Sequence, residues 1–592
     1  MKSMNSNPSA QESLFQNAAP KTGNDAFQIE NGVLISYRGN EEEAVIPADV
    51  TAIGEEAFRS RETLKRAVIP DGVTQIGRGA FVSCRNLTEV VIPDSVTEIG
   101  SMAFGNCTSL REIRLPHRLT VLGNYAFTRC TSLTAMTIPA GVKEIGAETF
   151  GQCSSLTAVH LSEGLEYIGN FTFKGCTALT EISVPDSVQE IGNNAFDSCD
   201  SLWKVHLPAQ LEVLSEALFK DCTALEACTV PEGVRKIRLH AFSGCTSLLD
   251  ITLPAGLEEI GADAFENTAW FRARQQENPL VTINGILIDG KTCVGAVTIP
   301  ETVKSIANKA FCGAEQLTAV TVPGGLERLG AGAFSQCVRL QSVTVAGRIG
   351  TIYPRAFQLC TALKEICLPE EIGEIGDDVF ADSRWLHDYL QTEPMLIMNG
   401  RLLAAAKRLT GELVIPAGVT RICKDALLNC TRLTGIVIPE SVETIGEYAF
   451  GGCHSLRTIR LRPDDPVFPR DYSLVPVLTE ELKNVWKMRS AGDYSASANM
   501  AVKYPLMILD YLHTHSPSLA EQIRQQTRKI VKDCVANGDT GMVAVLTQEE
   551  GLFDAESIDR CIDMAQGQSE ILMLLMNYKN AKLGFEDKPL KI

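Results

Sequence analysis

Residues 96–116 read VTEIGSMAFGNCTSLREIRLP, and close variants of this string recur along the chain. The closing proline returns every 23 residues within three runs, at 47, 70, 93, 116, 139, 162, 185, 208, 231 and 254, at 300, 323, 346 and 369, and at 416 and 439. Ser162 and Ala346 replace the proline in two of these sixteen copies. A fixed period of this length predicts a solenoid in which each copy forms one coil.

Every copy carries the same apolar pattern. With the proline as position 0, mostly apolar residues lie at positions −6, −3, −1, +3, +6, +10, +11 and +14, which in one copy are Leu87, Val90, Ile92, Val96, Ile99, Ala103, Phe104 and Cys107. The segment before the proline predicts a short β-strand, which the proline ends because it donates no backbone hydrogen bond. One coil cannot bury eight apolar side chains alone, so stacked coils must share a continuous core.

Two positions of the coil are nearly uniform in residue type. Position +7 is glycine in eleven coils, among them Gly77, Gly100 and Gly123, and predicts a backbone conformation that a Cβ atom would strain. Position +11 is phenylalanine in fifteen coils and Leu427 in the sixteenth. We expect these large side chains to fill the interior of the solenoid.

Composition excludes several classes of protein. The 592 residues are 45% hydrophobic and 21% charged, and 54 basic against 72 acidic residues give a net charge of −18. This acidity disfavours binding to nucleic acid or to anionic lipid. The chain has no apolar run of membrane-spanning length, so we expect no membrane insertion. Residues 1–25 are polar, without the apolar segment of a secretory signal, and predict a disordered leader.

The cysteines follow the repeat. Twelve of the nineteen occupy position +14: Cys84, Cys107, Cys130, Cys153, Cys176, Cys199, Cys222, Cys245, Cys337, Cys360, Cys430 and Cys453. Strands that pair in register stack at ~4.7–4.9 Å with parallel side chains, whereas a disulfide needs β-carbons turned toward each other at about 3.5–4.5 Å. We therefore expect buried free thiols, which suit a reducing compartment.

Three similar hairpin modules divide the run of coils. An Asn-Gly pair between apolar runs, the strongest short hairpin signal, occurs at residues 31–32, 284–285 and 399–400. We expect Trp270 and Trp385, which precede the second and third modules, to lie in short helices that close the preceding block. The predicted organisation is a leader (1–25), solenoid blocks at 26–278 (a hairpin and ten coils), 279–393 and 394–461, a turn-rich linker (462–478) and a helical domain (479–592).

The C-terminal region has a different, helical pattern. Residues 536–546 and 565–575 match each other at a 29-residue offset, and each segment predicts a helix, a glycine-containing turn and a second helix. The second segment resembles a degenerate ankyrin repeat, although it lacks the T-P-L-H opening of that repeat. Two roles stay open for this domain: it caps the solenoid, or it forms a separate binding surface.

The coil pattern V-T-x-I-G-x-x-A-F-x-x-C-x-x-L-T-x-V-x-I-P resembles the leucine-rich repeats of the BspA-like (Treponema pallidum-type) family over roughly residues 26–461. The resemblance implies a mainly β fold, a curved leucine-rich-repeat solenoid of 23-residue coils, here followed by an all-α ankyrin-like domain. It also implies a protein that binds other macromolecules rather than one that catalyses a reaction. Some members of the family are bacterial surface adhesins.

One motif is typical of a different function, nucleotide binding. Residues 285–292, GILIDGKT, satisfy the phosphate-loop pattern and leave a nucleotide-binding enzyme as a remote alternative. However, Ile286 to Ile288 are strand-like, and the residues after Thr292 predict a second strand rather than the required helix. The chain contains neither H-E-x-x-H nor G-x-S-x-G. We therefore expect no catalytic residues, metal site, cofactor or small-molecule substrate.

The outward positions of the strands are rich in threonine, as strand geometry favours. One neighbourhood differs: Trp203 lies beside Lys204 and His206, with His160 and Arg114 on nearby strands. Exposed aromatic residues beside cations are typical of protein-contact hot spots, although single exposed aromatics are also common. We interpret these five residues as a candidate ligand-binding patch.

These observations favour a non-enzymatic scaffold that binds a protein partner, whose identity the sequence does not reveal. The cysteine pattern and the absence of a signal or anchor motif favour a cytoplasmic location. The alternative is a secreted or surface adhesin or effector that binds host proteins; of these, the family resemblance implies the surface adhesin.

Overall fold

The computed structural model describes residues 26–456, 458–460, 494, 504, 507, 508, 510–512 and 514–583. The chain forms two compact units, Met1–Phe334 and Ser335–Ile592. Both contain stacked coils of short strands, and the second also contains the C-terminal helices. The predicted mainly β solenoid of 23-residue coils with a helical C-terminal region is confirmed. The predicted leader and linker lie outside the described residues.

In the first unit, strands before the proline form what we call the strand face: β3 (Glu43–Val45), β5 (Arg66–Val68), β7 (Glu89–Val91), β10 (Ala135–Ile138), β12 (Ala158–Leu161), β14 (Glu181–Ser183), β16 (Lys204–His206), β18 (Ala227–Thr229), β20 (Asp250–Thr252), β24 (Gly295–Thr298) and β26 (Leu317–Val322). They pair in parallel as β3-β5-β7, β10-β12, β14-β16, β18-β20 and β24-β26. Residues 111–116 are not strand, so the strand face is interrupted between β7 and β10.

A second series of strands follows the proline in each coil: β4 (Ala52–Ile53), β6 (Gln75–Ile76), β8 (Glu98–Ile99), β9 (Val121–Leu122), β11 (Glu144–Ile145), β13 (Tyr167–Ile168), β15 (Glu190–Ile191), β17 (Val213–Leu214), β19 (Lys236–Ile237), β21 (Glu259–Ile260), β25 (Ser305–Ile306) and β27 (Leu326–Leu329). Residues one repeat apart pair directly, as Ile145 does with Ile168. Because the register equals the repeat length, equivalent side chains stack in columns.

Phenylalanines at position +11 form the centre of this core. Ten stacked rings, with neighbouring centroids 4.6–5.6 Å apart, belong to Phe58, Phe81, Phe104, Phe127, Phe150, Phe173, Phe196, Phe219, Phe242 and Phe265. Each is at most 2% exposed. Tyr37 covers one end of the stack, 5.0 Å from Phe58, and Trp270 covers the other, 4.9 Å from Phe265. The expectation that these side chains fill the interior is confirmed.

Glycine is required at position +7 for a different reason from the one predicted. Gly77, Gly100 and Gly123 do not have positive φ values. A Cβ atom on Gly100 would instead lie 2.7 Å from the backbone nitrogen of Arg78, and one on Gly123 would lie 2.4 Å from that of Ser101. The prediction of a strained conformation was therefore wrong, because close approach of the preceding coil is what excludes a side chain here.

Left-handed backbone occurs at two other positions of the coil. Residues at +9 and +13 adopt positive φ, as Met102 (57°) and Asn106 (62°) do in one coil and Phe171 (59°) and Gly175 (71°) in another. Most residues at these positions are not glycine, so residue type gave no sequence signal for the two turns. The turns matter for function because position +9 presents side chains on the outside of the stack.

The second unit repeats the coil geometry. Its strands before the proline are β28 (Ser342–Val345), β30 (Glu365–Cys367), β34 (Gly411–Val414), β36 (Leu433–Val437) and β38 (Thr458–Arg460). The strands after the proline are β29 (Ile349–Ile352), β31 (Ile372–Ile375), β35 (Arg421–Ile422) and β37 (Thr444–Ile445). Phe357 and Phe380 stack with centroids 5.8 Å apart. The local packing is therefore the same as in the first unit.

Hairpins and tryptophan helices occur where the sequence predicts them. The antiparallel hairpins are β1 (Phe27–Glu30) with β2 (Val33–Tyr37), β22 (Val281–Ile283) with β23 (Ile286–Asp289), and β32 (Met395–Met398) with β33 (Arg401–Ala405). Asn and Gly have positive φ in all three turns, as such tight turns require. The helices are α1 (Ala269–Glu277) and α2 (Arg384–Thr392). The boundaries of the three blocks remain a prediction.

In the described part of the C-terminal region, the helices whose bounds are defined form two pairs. They are α3 (Pro517–Asn537), α4 (Thr540–Gln548), α5 (Ala555–Met564) and α6 (Ser569–Tyr578), followed by a π-helical turn at Lys579–Leu583. Gly538 and Gly567 have positive φ between helices, and α3 packs against α5 while α4 packs against α6. The two predicted helix–turn–helix segments are confirmed, whereas their ankyrin-like character stays a prediction.

Candidate functional site

The strand face positions three of the five candidate patch residues side by side. Trp203, immediately before β16, is 50% exposed, and the Nζ atom of Lys204 lies 5.8 Å from the centroid of its ring. Lys204 and His206 are both exposed because alternate residues of a strand point to the same side. The three side chains therefore form one continuous cationic and aromatic surface.

His160 lies on the same column of the strand face as His206. His160 pairs with Thr137 across β10 and β12, and His206 pairs with Ser183 across β14 and β16. The two histidines are 46 residues, and thus two coils, apart. At ~4.8 Å per coil, about 10 Å separates their backbones, so one partner surface can contact both.

Arg114 belongs to a different part of the strand face. It is 92 residues, and thus four coils, before His206. Its Nη2 atom lies 2.9 Å from Nε2 of His117, whose backbone nitrogen donates to Oδ1 of Asp94 at 3.3 Å. Arg114 thus lies two coils from His160, the same spacing as between His160 and His206, and it also lines a separate groove. The grouping of all five residues into one patch stays a prediction.

The region around Arg114 is a groove that sequence reasoning missed. The groove has a volume of 1060 Å³. It lies at residues 111–116, which occupy a strand position of the coil but do not form a strand. Its lining includes the acidic residues Glu89, Asp94 and Glu112, the basic residue Arg114, and His117. Residues 110–115 keep the apolar pattern of the other coils, so no sequence signal marks the interruption.

The phosphate-loop motif forms a hairpin, as predicted. β23 occupies the loop between the two motif glycines, and the next element after Lys291 is strand β24. Lys291 Nζ donates to Oδ1 of Asp263 at 2.6 Å. Burial lowers the pKa of Lys291, but this effect is outweighed by the hydrogen bond to Asp263 and by the charges of Asp289 and Glu266. The pKa of Lys291 is therefore raised. Acidic neighbours of this kind disfavour a polyphosphate.

The cysteines at position +14 form a buried ladder of thiols. In the first unit, each Sγ donates to the carbonyl of the phenylalanine in the preceding coil, at 2.9 Å for Cys84 and 3.2 Å for Cys153. In the second unit, Cys430 donates to the carbonyl of Ala406 and Cys453 to that of Leu427. The first unit contains eight of these free thiols: Cys84, Cys107, Cys130, Cys153, Cys176, Cys199, Cys222 and Cys245. Burial raises the pKa of Cys84 and of Cys153 to about 12. The expectation of buried free thiols is confirmed for these residues.

We expect the ladder thiols to resist alkylation at pH 8 in the native protein, whereas Cys367 reacts. The thiolate is the reactive form, and a thiol with a pKa of about 12, such as Cys153, stays protonated at that pH. Cys367 is exposed. Iodoacetamide labelling followed by peptide mass spectrometry measures the extent of reaction at the ladder cysteines and at Cys367. The ladder cysteines should become labelled once the protein is unfolded in urea. Native labelling of Cys153 at the rate of Cys367 would contradict this prediction.

Comparisons with known proteins agree with the repeat. A family model described as a BspA type leucine-rich repeat region matches residues 36–157, 143–270, 290–393 and 406–467. No curated protein sequence matches the chain. Among the residues that the structure describes, none of the helices combines the length and the apolar character that a transmembrane segment requires.

Several solved structures are similar to this chain. A leucine-rich repeat protein from Bacteroides ovatus is 25% identical, with 73% of this chain and 91% of that chain covered and a TM-score of 0.32. A leucine-rich cell surface protein from Faecalibacterium prausnitzii is 26% identical, covering 72% and 89%, with a TM-score of 0.28. The T. pallidum leucine-rich repeat protein is 21% identical, covering 43% and 95%, with a TM-score of 0.20.

Proposed function

The chain belongs to the BspA-type leucine-rich repeat family, and from this premise we propose that it is a non-enzymatic scaffold that binds a protein partner on its strand face. Proteins of this family typically mediate protein interactions or adhesion. The observation that carries the proposal is the half-exposed Trp203 beside Lys204 on the strand face. Exposed aromatic and cationic residues of this kind dominate the energetics of protein interfaces.

The proposed contact surface extends from Trp203 through His206 to His160, and the groove at Arg114 forms a second contact. His160 and His206 add hydrogen-bonding imidazole rings to this surface. The groove offers both signs of charge, from Arg114 and from Glu89 and Glu112. A partner with an acidic segment beside an apolar pocket complements the first surface.

We expect Trp203→Ala to lower the capture of a protein partner by about tenfold or more, as loss of a hot-spot residue does. Leu249→Ala is the matched control, because Leu249 also occupies position −5 of its coil and is 69% exposed. Immobilised full-length protein and each variant would be incubated with lysate from the source cell, and the retained proteins quantified by mass spectrometry. Equal capture by wild type and by Trp203→Ala would remove this surface from the proposal.

A non-enzymatic role is also supported by the contacts of Lys291. The Nζ atom of this residue, the one that a phosphate loop would aim at a nucleotide, donates to Asp263 instead. Gly290 and Lys291 lead into a strand rather than a helix, so no helix N-terminus is available here to hold a phosphate.

We propose a cytoplasmic location, since the free ladder thiols and the exposed Cys367 suit a reducing compartment. The alternative is the cell surface, where the same strand face would act as an adhesin. A membrane-impermeant maleimide applied to intact cells separates the two locations. Protection of Cys367 until lysis supports the cytoplasm, whereas labelling before lysis supports the surface and directs the partner search to extracellular proteins.

A further inference from the structure

Three potential metal ligands converge on the outside of the first unit. One ligand atom each from His240, Asp263 and Glu266 lie within 4.8 Å of one another. His240 and Asp263 both occupy position +9, in adjacent coils, and both have left-handed backbone, with φ values of 56° and 54°. This shared conformation directs their side chains the same way. Glu266 follows Asp263 by three residues, across the same turn.

The histidine in this group has an unsatisfied nitrogen. Nδ1 of His240 is buried and has no hydrogen-bond partner among the residues that the structure describes. A buried polar atom left unpaired costs about 1–3 kcal/mol. A metal ion would accept the lone pair of a neutral imidazole nitrogen, which makes histidine a common metal ligand.

The three ligands lie among several carboxyl groups. Asp263 and Glu266 lie near a third carboxylate, Asp289, which is buried and accepts from Nε2 of Gln275 at 3.0 Å. The ammonium of Lys291 contacts Asp263 at 2.6 Å. Three carboxyl groups thus lie near the ammonium of Lys291. A bound cation would be stabilised electrostatically by carboxylates in this arrangement.

We propose that His240, Asp263 and Glu266 bind a divalent transition-metal ion of the Zn²⁺ class. A ligand set of one imidazole nitrogen and two carboxylate oxygens favours such ions over Mg²⁺ and Ca²⁺, which prefer oxygen alone. The ion would link the coil of His240 to the coil of Asp263 and Glu266. Three protein ligands leave a coordination position for water.

The nearby Lys291 allows a specific test of this proposal, because its replacement and the loss of a ligand should change metal affinity in opposite directions. Lys291 already contacts Asp263, so its ammonium competes electrostatically with a bound cation. Replacing Lys291 with methionine should therefore tighten metal binding, while loss of a ligand should weaken it. A residue cluster with a purely structural role would show no such opposite response.

The experiment uses the full chain, freed of metal with a chelator, in a Cys367→Ser background that removes the exposed thiol. Zn²⁺ is titrated by calorimetry, and Co²⁺ binding is followed by its visible absorption. We expect one site, weakened about tenfold or more in His240→Gln and in Glu266→Gln, a change on the scale that metal-site mutations produce. We expect tighter binding in Lys291→Met. His387→Gln is the matched control and should bind metal like the parent, because His387 is an exposed histidine on α2, outside the proposed sites.

Four results would overturn the proposal. They are an unchanged affinity in His240→Gln, weaker binding in Lys291→Met, equally tight binding of Mg²⁺, and a cobalt spectrum with the intense near-ultraviolet band of a thiolate ligand. Glu266 is exposed, so Glu266→Gln should leave folding intact. Circular dichroism of each variant confirms its fold, and Glu266→Gln keeps the test decisive if His240→Gln does not fold.

Discussion

Phe150→Ala is expected to lower the free energy of unfolding by about 4 kcal/mol, in the range for large-to-small changes in a core. Phe150 is fully buried, and its ring stacks between Phe127 at 5.6 Å and Phe173 at 5.5 Å. Truncation leaves a cavity between two coils and removes two aromatic contacts, each contributing about 0.5–1.5 kcal/mol. Urea unfolding followed by circular dichroism measures the change.

Phe171→Ala is the matched control for this prediction. Phe171 is 36% exposed, and Nζ of Lys174 lies 5.4 Å from the centroid of its ring. We expect its replacement to change the free energy of unfolding by no more than about 1 kcal/mol, since the residue is not in the core. Equal effects of Phe150→Ala and Phe171→Ala would mean that the stacked rings do not form the stabilising core.

Gly123→Ala is expected to destabilise the first unit by about 3 kcal/mol, at the upper end for overpacked sites. The added Cβ would lie 2.4 Å from the backbone nitrogen of Ser101 and 2.6 Å from the carbonyl carbon of Gly100. Backbone atoms cannot rotate away as a flexible side chain can, so two coils must separate. Hydrogen exchange should increase mainly in the coils next to the substitution, because stability in a solenoid depends on neighbouring coils.

The control for Gly123→Ala is Gly105→Ala. A Cβ atom on Gly105 would meet nothing nearer than the carbonyl oxygen of Met102 at 3.3 Å, and Gly105 has no positive φ. We expect a change within about 1 kcal/mol, because most such substitutions are mild. If Gly105→Ala destabilised the protein as much as Gly123→Ala does, loss of glycine itself rather than the approach of the coils would be the cause.

Much of the fold could be predicted because the determining interactions repeat. The 23-residue period places equivalent residues on top of each other, so a pattern read from one coil applies to its neighbours. The stacked phenylalanines, the three hairpins and the helices at Trp270 and Trp385 follow from such local patterns. The glycines at position +7 do not, because the atoms that exclude a side chain there belong to the preceding coil.

The candidate sites were less predictable than the fold. Trp203, Lys204 and His206 are neighbours in sequence, and their proximity follows from strand geometry alone. Whether Arg114 lies close to them depends on the distances between stacked coils, and four coils separate Arg114 from His206. The convergence of His240, Asp263 and Glu266 was not predicted, because residue type gave no sign that position +9 is left-handed.

The amino-acid sequence by itself determined the coil, its period and its buried residues, since each depends on patterns repeated within a few dozen residues. Only the tertiary structure decided which outward side chains meet. The interruption of the strand face at residues 111–116, the contact of Lys291 with Asp263 and the clustering around His240 all depend on contacts between coils or between a coil and a hairpin. The core of a solenoid follows from its repeat, whereas its surface follows from individual contacts between residues distant in sequence.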